Sequence, residues 1–267
     1  MPTVTSNDGT EIAYEEVGSG SPLITVAGAT AYRGVDQTTT ELAGLVADGG
    51  HRVISYDRRG RGDSGDTLPY SVECEIEDLE ALVAAAGGEA SVFGMSSGAV
   101  LALEAAARGV PVTKLVMYEP PMLLDREGPE PIPDYVARLE RHVSEGEPGD
   151  AMAYFMGAVA ELPPDQIEQF RASPIWPAFV ASEHTIAYDG RIMEPYGKGE
   201  PIPPGQFAAA LQPTLVIAGG DSPEWMRNAA RAVADAVPEG ELRTLPGQTH
   251  QFDPAVLAPV MLEFLAS

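Results

Sequence analysis

The sequence predicts an α/β protein with a mainly parallel, twisted sheet, helices on both faces and a helical segment inserted after the sixth strand. Three observations support this fold class. Short apolar segments typical of buried strands alternate with amphipathic helical patterns. About ninety residues between Glu119 and Thr214 contain helical stretches but no convincing buried strand. A serine flanked by glycines, in Gly94-Met95-Ser96-Ser97-Gly98, lies between an apolar strand and a helix-forming run.

The strands follow one another in a regular order. A hairpin is expected first, because strand-like segments flank Asn7-Asp8-Gly9, which is a strong turn signal. Six apolar segments, several of them β-branched, then predict the remaining strands. They are residues 23–27, 52–56, 90–93, 115–118, 215–218 and 242–245.

The best-defined helical pattern of the core covers Ser71–Ala86. Its apolar residues recur at spacings of three and four, and Ser71 is expected to cap the first turn. Cys74, the only cysteine, lies inside this helix, where we expect a structural role. With one cysteine, the chain can form neither an internal disulfide nor a cysteine-based metal cluster.

Three helical patterns occupy the region after the sixth strand. The first two are apolar stripes, and the third is a continuous segment, Ile175–Ala187. The stripes comprise Tyr135, Val136, Leu139 and Val143, and then Met152, Phe155, Met156 and Val159. We therefore assign residues 1–119 and 214–267 to a core domain and residues 120–213 to a helical lid. Such a lid would lie above the carboxyl ends of the strands, where open sheets bind ligands.

Composition restricts the function. The 267 residues include 16 basic and 40 acidic side chains, which give a formal charge of −24. This charge opposes the approach of nucleic acid, anionic membranes and polyanionic substrates, so a small molecule is the expected partner. The first residues lack a signal-peptide pattern, and no stretch approaches the ~20 apolar residues that span a bilayer. We expect a soluble, cytoplasmic protein of undetermined oligomeric state.

Ser96 is the candidate nucleophile. The turn must be sharp enough to expose one serine hydroxyl, and Gly94 and Gly98 allow strand and helix to approach closely. At the helix N-terminus, free N–H groups and the positive end of the dipole favour a developing anion. The alternative is a glycine-rich strand-to-helix turn in some other α/β protein.

A nucleophilic serine needs a base, and His250 is the best placed of four histidines. It follows the last predicted strand, so its loop can bring an imidazole over the sheet edge to accept the serine proton. His51 precedes a buried strand, and His142 lies in a charged lid helix. His184 lies beside Tyr188 in the lid, where it either packs or contacts substrate.

The chain resembles the α/β-hydrolase superfamily over nearly its whole length. The serine turn, the late histidine and the lid after the sixth strand fit that pattern. So does Asp57-Arg58-Arg59-Gly60-Arg61-Gly62-Asp63-Ser64, which resembles the D-x-R-G-x-G-x-S loop of many cofactor-free members. The resemblance implies a serine hydrolase without cofactor or metal, and it implies that the backbone N–H groups of Ala29 and Ser97 form the oxyanion hole. Ala27-Gly28 stands where many relatives have His-Gly.

The acidic member of a Ser-His-acid triad has two candidates. The usual superfamily position is just after the seventh strand, where Asp221 falls one residue early and Ser222 occupies the expected register. Glu119 follows the sixth strand, a position that some members use. Both satisfy the chain order of nucleophile, acid and base. We favour Glu119, because a carboxylate that leaves a buried strand at the lid junction can orient an imidazole.

These residues predict a hydrolase that cleaves a small, fairly apolar ester or related acyl compound through an acyl-enzyme. The same triad also supports perhydrolysis, carbon–carbon bond hydrolysis and lyase chemistry, and a non-catalytic ligand-binding protein is a further alternative. Trp176, His184 and Tyr188 are the predicted pocket residues contributed by the lid.

Overall fold

The computed structural model describes all 267 residues and contains one eight-stranded sheet. The strand order is β1-β2-β4-β3-β5-β6-β7-β8. β1 pairs antiparallel with β2, and β2 pairs antiparallel with β4, whereas every other neighbouring pair is parallel. The strands are β1 Thr3–Thr5, β2 Glu11–Gly18, β3 Ser21–Val26, β4 His51–Tyr56, β5 Ala90–Met95, β6 Val112–Tyr118, β7 Thr214–Gly219 and β8 Gly240–Leu245. The predicted fold class and the predicted hairpin are confirmed.

Ten α-helices accompany the sheet. They are α1 Gln37–Asp48, α2 Val72–Ala86, α3 Ser97–Ala107, α4 Tyr135–Glu145, α5 Asp150–Ala158, α6 Pro164–Arg171, α7 Trp176–Val180, α8 Ile186–Met193, α9 Glu224–Ala236 and α10 Pro254–Ala266. None of these helices combines the length and the apolar character that crossing a membrane would require.

Helices cover both faces of the sheet. Alternate residues of a strand point to opposite faces, and apolar residues on each face pack against helices. Val116 belongs to an apolar cluster with α1 and α10, whereas its neighbour Met117 belongs to a cluster with α2, α3 and α9. The central strands are therefore apolar on both faces, which is typical of a parallel sheet between helical layers.

Ser71 occupies the N-cap position of α2, but its side chain does not cap the helix. The hydroxyl instead lies 3.6 Å from the Sγ of Cys74. The predicted helix is therefore present, and the predicted capping hydrogen bond is wrong.

The segment between β6 and β7 holds helices α4 to α8 and no strand. We call residues 120–213 the helical insert. The two predicted apolar stripes lie on α4 and α5, which share a small apolar cluster with residues of α8. Helix α6 was not predicted.

The prediction of one helix over Ile175–Ala187 is wrong. Helix α7 ends at Val180, and a 3₁₀ turn, Glu183–Thr185, precedes α8. The Ser182 hydroxyl donates to Phe179 O, and the Thr185 hydroxyl donates to Ser182 O. Such local side-chain bonds to the backbone compete with the helical ladder, so the segment breaks at this point.

Candidate active site

Ser96 lies at the turn between β5 and α3. Its backbone has φ 55° and ψ −128°, and its N–H donates to Tyr118 O at 2.9 Å. A residue with a Cβ rarely adopts positive φ, so the turn holds Ser96 in a strained conformation. The side chain is half-buried at the N-terminus of α3.

Two glycines make this turn possible. A Cβ on Gly94 would lie 2.6 Å from Ala99 Cα, and a Cβ on Gly98 would lie 2.4 Å from Val26 O. Both distances are far shorter than a normal non-bonded contact, which is about 3.5–4.0 Å between carbon atoms. The glycines therefore allow α3 to start directly against the ends of β3 and β5.

Glu119 and His250 meet at the same edge of the sheet. Nδ1 of His250 lies 2.9 Å from Oε2 of Glu119, and Oε1 accepts the Gly219 N–H at 2.7 Å. The carboxylate is fully buried, whereas the imidazole is 39% exposed. A buried carboxylate is costly unless it is paired and hydrogen-bonded, and both oxygens here have a partner. The imidazole is thus held from one side and open on the other.

Tyr118 holds the loop that carries His250. The Tyr118 hydroxyl donates to Thr249 O at 2.6 Å, and burial beside Glu119 raises the pKa of Tyr118. Tyr118 therefore stays a neutral donor at neutral pH and anchors the loop one residue before His250. Since Tyr118 O also accepts the Ser96 N–H, one residue connects the serine turn to the histidine loop.

Backbone strain concentrates in this region. Five residues other than glycine have positive φ, and three of them follow the carboxyl ends of adjacent strands. Thr30 (φ 63°) lies in the loop after β3, Ser96 follows β5, and Glu119 (φ 45°) follows β6. Strained backbone of this kind persists where the surrounding structure over-determines it, and it clusters at functional sites.

No hydrogen bond joins the serine to the histidine. The only side-chain hydrogen bond of His250 is the one to Glu119, and the Ser96 hydroxyl makes none. Catalytic hydrogen bonds are often long in ligand-free proteins and shorten when substrate binds.

Asp221 and Ser222, the two polar residues that follow β7, differ in burial. Asp221 is exposed and makes no side-chain hydrogen bond, although its N–H donates to Gln248 O. Ser222 is buried, and its hydroxyl has no partner. The carboxylate at the imidazole therefore comes from β6 and not from the segment after β7.

The predicted oxyanion donors have unused N–H groups. Ala29 lies in the loop after β3, and Ser97 is the first residue of α3; neither N–H donates a hydrogen bond within the chain. Gly28 brings this loop against the serine, because a Cβ placed on it would be 3.0 Å from Ser96 Cβ and 3.7 Å from Ser96 Oγ. Two free donors thus accompany the serine turn.

A buried ion cluster lies beneath these donors, and the sequence did not predict it. Arg58 and Arg61, both 1% exposed, bind Asp189 of helix α8, and Arg58 also forms a bidentate pair with Glu75. Burial raises the pKa of Asp189, but the attraction of the two arginines outweighs it and leaves that pKa below its usual value. The signal in the sequence was three arginines within the Asp57–Ser64 loop, but nothing there identified their partners.

The three predicted pocket residues have contacts of their own. Trp176 packs edge-on against Phe170 within the helical insert. Tyr188 stacks on Tyr70, and its hydroxyl donates to Asp66, which also lies 3.4 Å from Nε2 of His184. None of these contacts reaches Ser96 or His250, and a role in substrate binding remains a prediction.

Neither His51 nor His142 forms a hydrogen bond with the serine turn. His51 begins β4, and His142 on α4 faces Tyr154. No group of three or more His, Cys, Asp or Glu side chains is arranged to hold a metal ion.

Two open grooves, of about 680 and 490 Å³, lie on the helical insert and beside α9, and neither is lined by residues of the serine turn. The convergence of side chains, not groove volume, therefore locates the candidate site.

The sheet order, together with a strained serine turn after β5, defines an α/β hydrolase fold. A model of the alpha/beta hydrolase family matches residues 20–260. An alpha/beta hydrolase from Sphaerobacter thermophilus DSM 20745 is 48% identical, with a TM-score of 0.88 and coverage of 99% of this chain and 100% of that one. The chain belongs to the alpha/beta hydrolase family.

Two further relatives are less similar to this chain. The non-heme chloroperoxidase CPO-A1 of Kitasatospora aureofaciens is 27% identical over 274 residues, which cover 94% of this chain and 92% of the relative. A thermophilic esterase from Thermogutta terrifontis has the same fold, with a TM-score of 0.72, 22% identity and coverage of 99% and 97%.

Proposed function

We propose that the protein is a cofactor-independent serine hydrolase that cleaves a small, fairly apolar ester or related acyl compound. The observation that carries this proposal is the 2.9 Å contact between the buried Glu119 carboxylate and His250, beside a serine held at positive φ. Family membership supports hydrolase chemistry in general, and Ser96, Glu119 and His250 support acyl transfer through a serine.

In the proposed acylation step, the Ser96 hydroxyl attacks the substrate carbonyl and Nε2 of His250 accepts its proton. Glu119 accepts the Nδ1–H of His250, which fixes the tautomer that leaves Nε2 free to act as a base. The carboxylate also stabilises the imidazolium that forms. His250 then donates the proton to the leaving alkoxide.

The negative charge that develops on the carbonyl oxygen requires donors. The free N–H groups of Ala29 and Ser97 are the proposed donors, and each can contribute roughly 3 kcal/mol in the transition state. Water activated by His250 then attacks the acyl-enzyme, which releases the acid and restores Ser96.

Two features support an uncharged substrate. The formal charge of −24 disfavours the approach of anions. The helical insert, which we propose acts as a lid, holds apolar and aromatic side chains, Trp176 and Tyr188 among them. An apolar enclosure with few polar groups is the usual form of a small-molecule site.

The test is covalent labelling with a fluorophosphonate, followed by peptide mapping. The adduct is expected on Ser96, absent in Ser96→Ala and unchanged in Ser222→Ala, which removes a buried hydroxyl outside the proposed triad. A panel of p-nitrophenyl esters of increasing acyl length then defines the preferred acyl group. An adduct on Ser97, or full ester turnover by Ser96→Ala, would refute the assignment.

Perhydrolysis is a second candidate, favoured by the similarity to the non-heme chloroperoxidase over 94% of the chain. In this reaction hydrogen peroxide replaces water, so that the acyl-enzyme is released as a peracid. Adding peroxide to an ester assay and quantifying acid and peracid measures how the acyl-enzyme partitions. Peracid in excess of acid at millimolar peroxide would favour this candidate over simple hydrolysis.

A further inference from the structure

One buried carboxylate of the helical insert contacts the supports of both proposed oxyanion donors. Oδ1 of Asp189 accepts the Ser97 hydroxyl at 2.7 Å, and Oδ2 accepts an N–H of Arg61. Nη1 of Arg61 donates in turn to Gly28 O at 2.7 Å and to Ala31 O at 3.2 Å. The core and the insert therefore meet at these donors.

The bond to Gly28 O acts directly on the Ala29 N–H. The carbonyl of Gly28 and the N–H of Ala29 belong to the same planar peptide unit and point in opposite directions. A guanidinium that holds the oxygen therefore fixes the direction of the N–H. It also polarises the peptide, which makes that N–H a stronger donor, since hydrogen bonds in series strengthen one another.

The bond to Ser97 acts on the second donor. Ser97 is the first residue of α3, so its N–H has no partner in the helix, while its side chain is fixed by Asp189. Arg58 donates to the same oxygen of Asp189 at 2.6 Å and holds the carboxylate in place. The four side chains are buried, so neither water nor salt competes for these bonds.

We propose that Asp189 and Arg61 are positioning residues for the oxyanion hole. They set the directions of the Ser97 and Ala29 N–H groups and thereby make the donors depend on the docked position of helix α8. This inference rests on the proposed function for its catalytic consequence, whereas the placement of the two N–H groups can be measured without any substrate.

The experiment compares Asp189→Asn and Arg61→Lys with a matched buried pair. Arg59 and Asp78 are as buried as Arg61 and Asp189 and are joined at 2.7 and 2.8 Å, but the Arg59 side chain donates hydrogen bonds only to Asp8, Cys74 O and Asp78. The control variants are Arg59→Lys and Asp78→Asn. Thermal unfolding of all four shows whether the two pairs contribute comparably to stability.

With the p-nitrophenyl ester that the wild-type protein cleaves fastest, we expect Asp189→Asn and Arg61→Lys to lower kcat by about 10–100-fold. This loss is smaller than the loss of about 10²–10³-fold that follows removal of a whole oxyanion donor, because both N–H groups remain present in these variants. KM should stay within about twofold, and the inhibition constant of a trifluoromethyl ketone, which forms a tetrahedral oxyanion with serine, should rise in step with the loss of kcat/KM. Arg59→Lys and Asp78→Asn should change neither kcat nor the inhibition constant. Equal losses in the control pair, or an unchanged kcat in Asp189→Asn, would overturn the proposal.

Two further measurements keep the result decisive. If Asp189→Asn does not fold, Ser97→Ala takes its place, because it removes only the hydroxyl that donates a hydrogen bond to Asp189. We then expect a smaller loss of kcat with unchanged KM, and an unchanged kcat counts against the proposal.

Amide NMR of the Ala29 and Ser97 N–H groups reports their environment directly. These signals should move in Asp189→Asn and not in Asp78→Asn. If the wild-type protein proves inactive towards esters and fluorophosphonates, the proposed function fails, and unmoved amide signals would separately overturn the positioning role.

Discussion

Replacing Glu119 with glutamine removes a negative charge and keeps the shape of the side chain. The carboxylate now accepts two hydrogen bonds, from Gly219 N–H at 2.7 Å and from His250 Nδ1 at 2.9 Å. An amide has one oxygen and can accept only one of them. Because the Gly219 N–H is fixed at the end of β7, the oxygen should turn towards it and the NH₂ group towards the imidazole.

An NH₂ group facing His250 reverses the roles of the two ring nitrogens. Nδ1 must then accept, so Nε2 carries the proton and cannot take one from Ser96. In a well-studied serine protease, the corresponding change lowers turnover about 10⁴-fold, which corresponds to about 5.4 kcal/mol of barrier. Because the bond to Gly219 is retained, the free energy of unfolding should change by no more than about 1–2 kcal/mol.

The assay is turnover of the best ester in the panel, together with the rate of fluorophosphonate labelling, which reports activation of Ser96 without turnover. Asp221→Asn is the control, because Asp221 is exposed and its side chain forms no hydrogen bond with His250. Retention of more than about a tenth of wild-type turnover by Glu119→Gln would refute the reasoning, given the expected 10⁴-fold loss. A larger loss in Asp221→Asn would assign the acid to the segment after β7.

Four further predictions concern individual residues of the structure. His250→Ala should lower turnover by ~10²–10⁴-fold or more, whereas His142→Ala should not; equal losses would assign the wrong base. Gly28→Ala should slow acylation, because its Cβ would lie 3.0 Å from the serine Cβ. Gly44→Ala in α1, where a Cβ meets nothing within 4 Å, should raise the free energy of unfolding by about 0.5–1 kcal/mol without changing turnover. Because the pKa of Asp189 is lowered in the folded protein, its contribution to stability is present above pH ~4 and is lost as pH falls through that lowered pKa. Denaturant unfolding at pH 5 and pH 3 should show a smaller loss for Asp189→Asn than for wild type, and parallel losses would contradict this.

The strand ends could be predicted because their signals are local. The glycines of Gly94–Gly98 are required within five consecutive residues, and the apolar run before Glu119 marks the end of a buried strand without reference to the rest of the chain. The order of strands in the α/β pattern then places residues after β5, β6 and β8 at one edge of the sheet.

The buried ion cluster could not be predicted in this way. Arg58 and Glu75 are separated by 17 residues, and Arg61 and Asp189 by 128. Their pairing depends on how helix α8 packs against the core, which no local pattern specifies. In the sequence, Asp189 is one of 40 acidic residues and has no neighbouring feature that distinguishes it. The break between α7 and α8 was missed for a related reason, because the Ser182 and Thr185 side chains compete with a helix that their apolar neighbours favour.

The Glu119 carboxylate lies between the ends of two neighbouring strands, since it leaves β6 and accepts the N–H of Gly219 at the end of β7. An acidic residue at the end of either strand can therefore reach an imidazole above this edge. The carboxylate can come from different positions in the sequence and still occupy the same position in the fold. Sequence alignments that seek the acid in the usual column after β7 would find Ser222 here, next to the exposed Asp221, and would pass over the carboxylate that contacts the ring. Relatives of this protein are better grouped by which of the two strands contributes the carboxylate. The alignment position to compare is that of Ser222, which is buried here and has an unpaired hydroxyl.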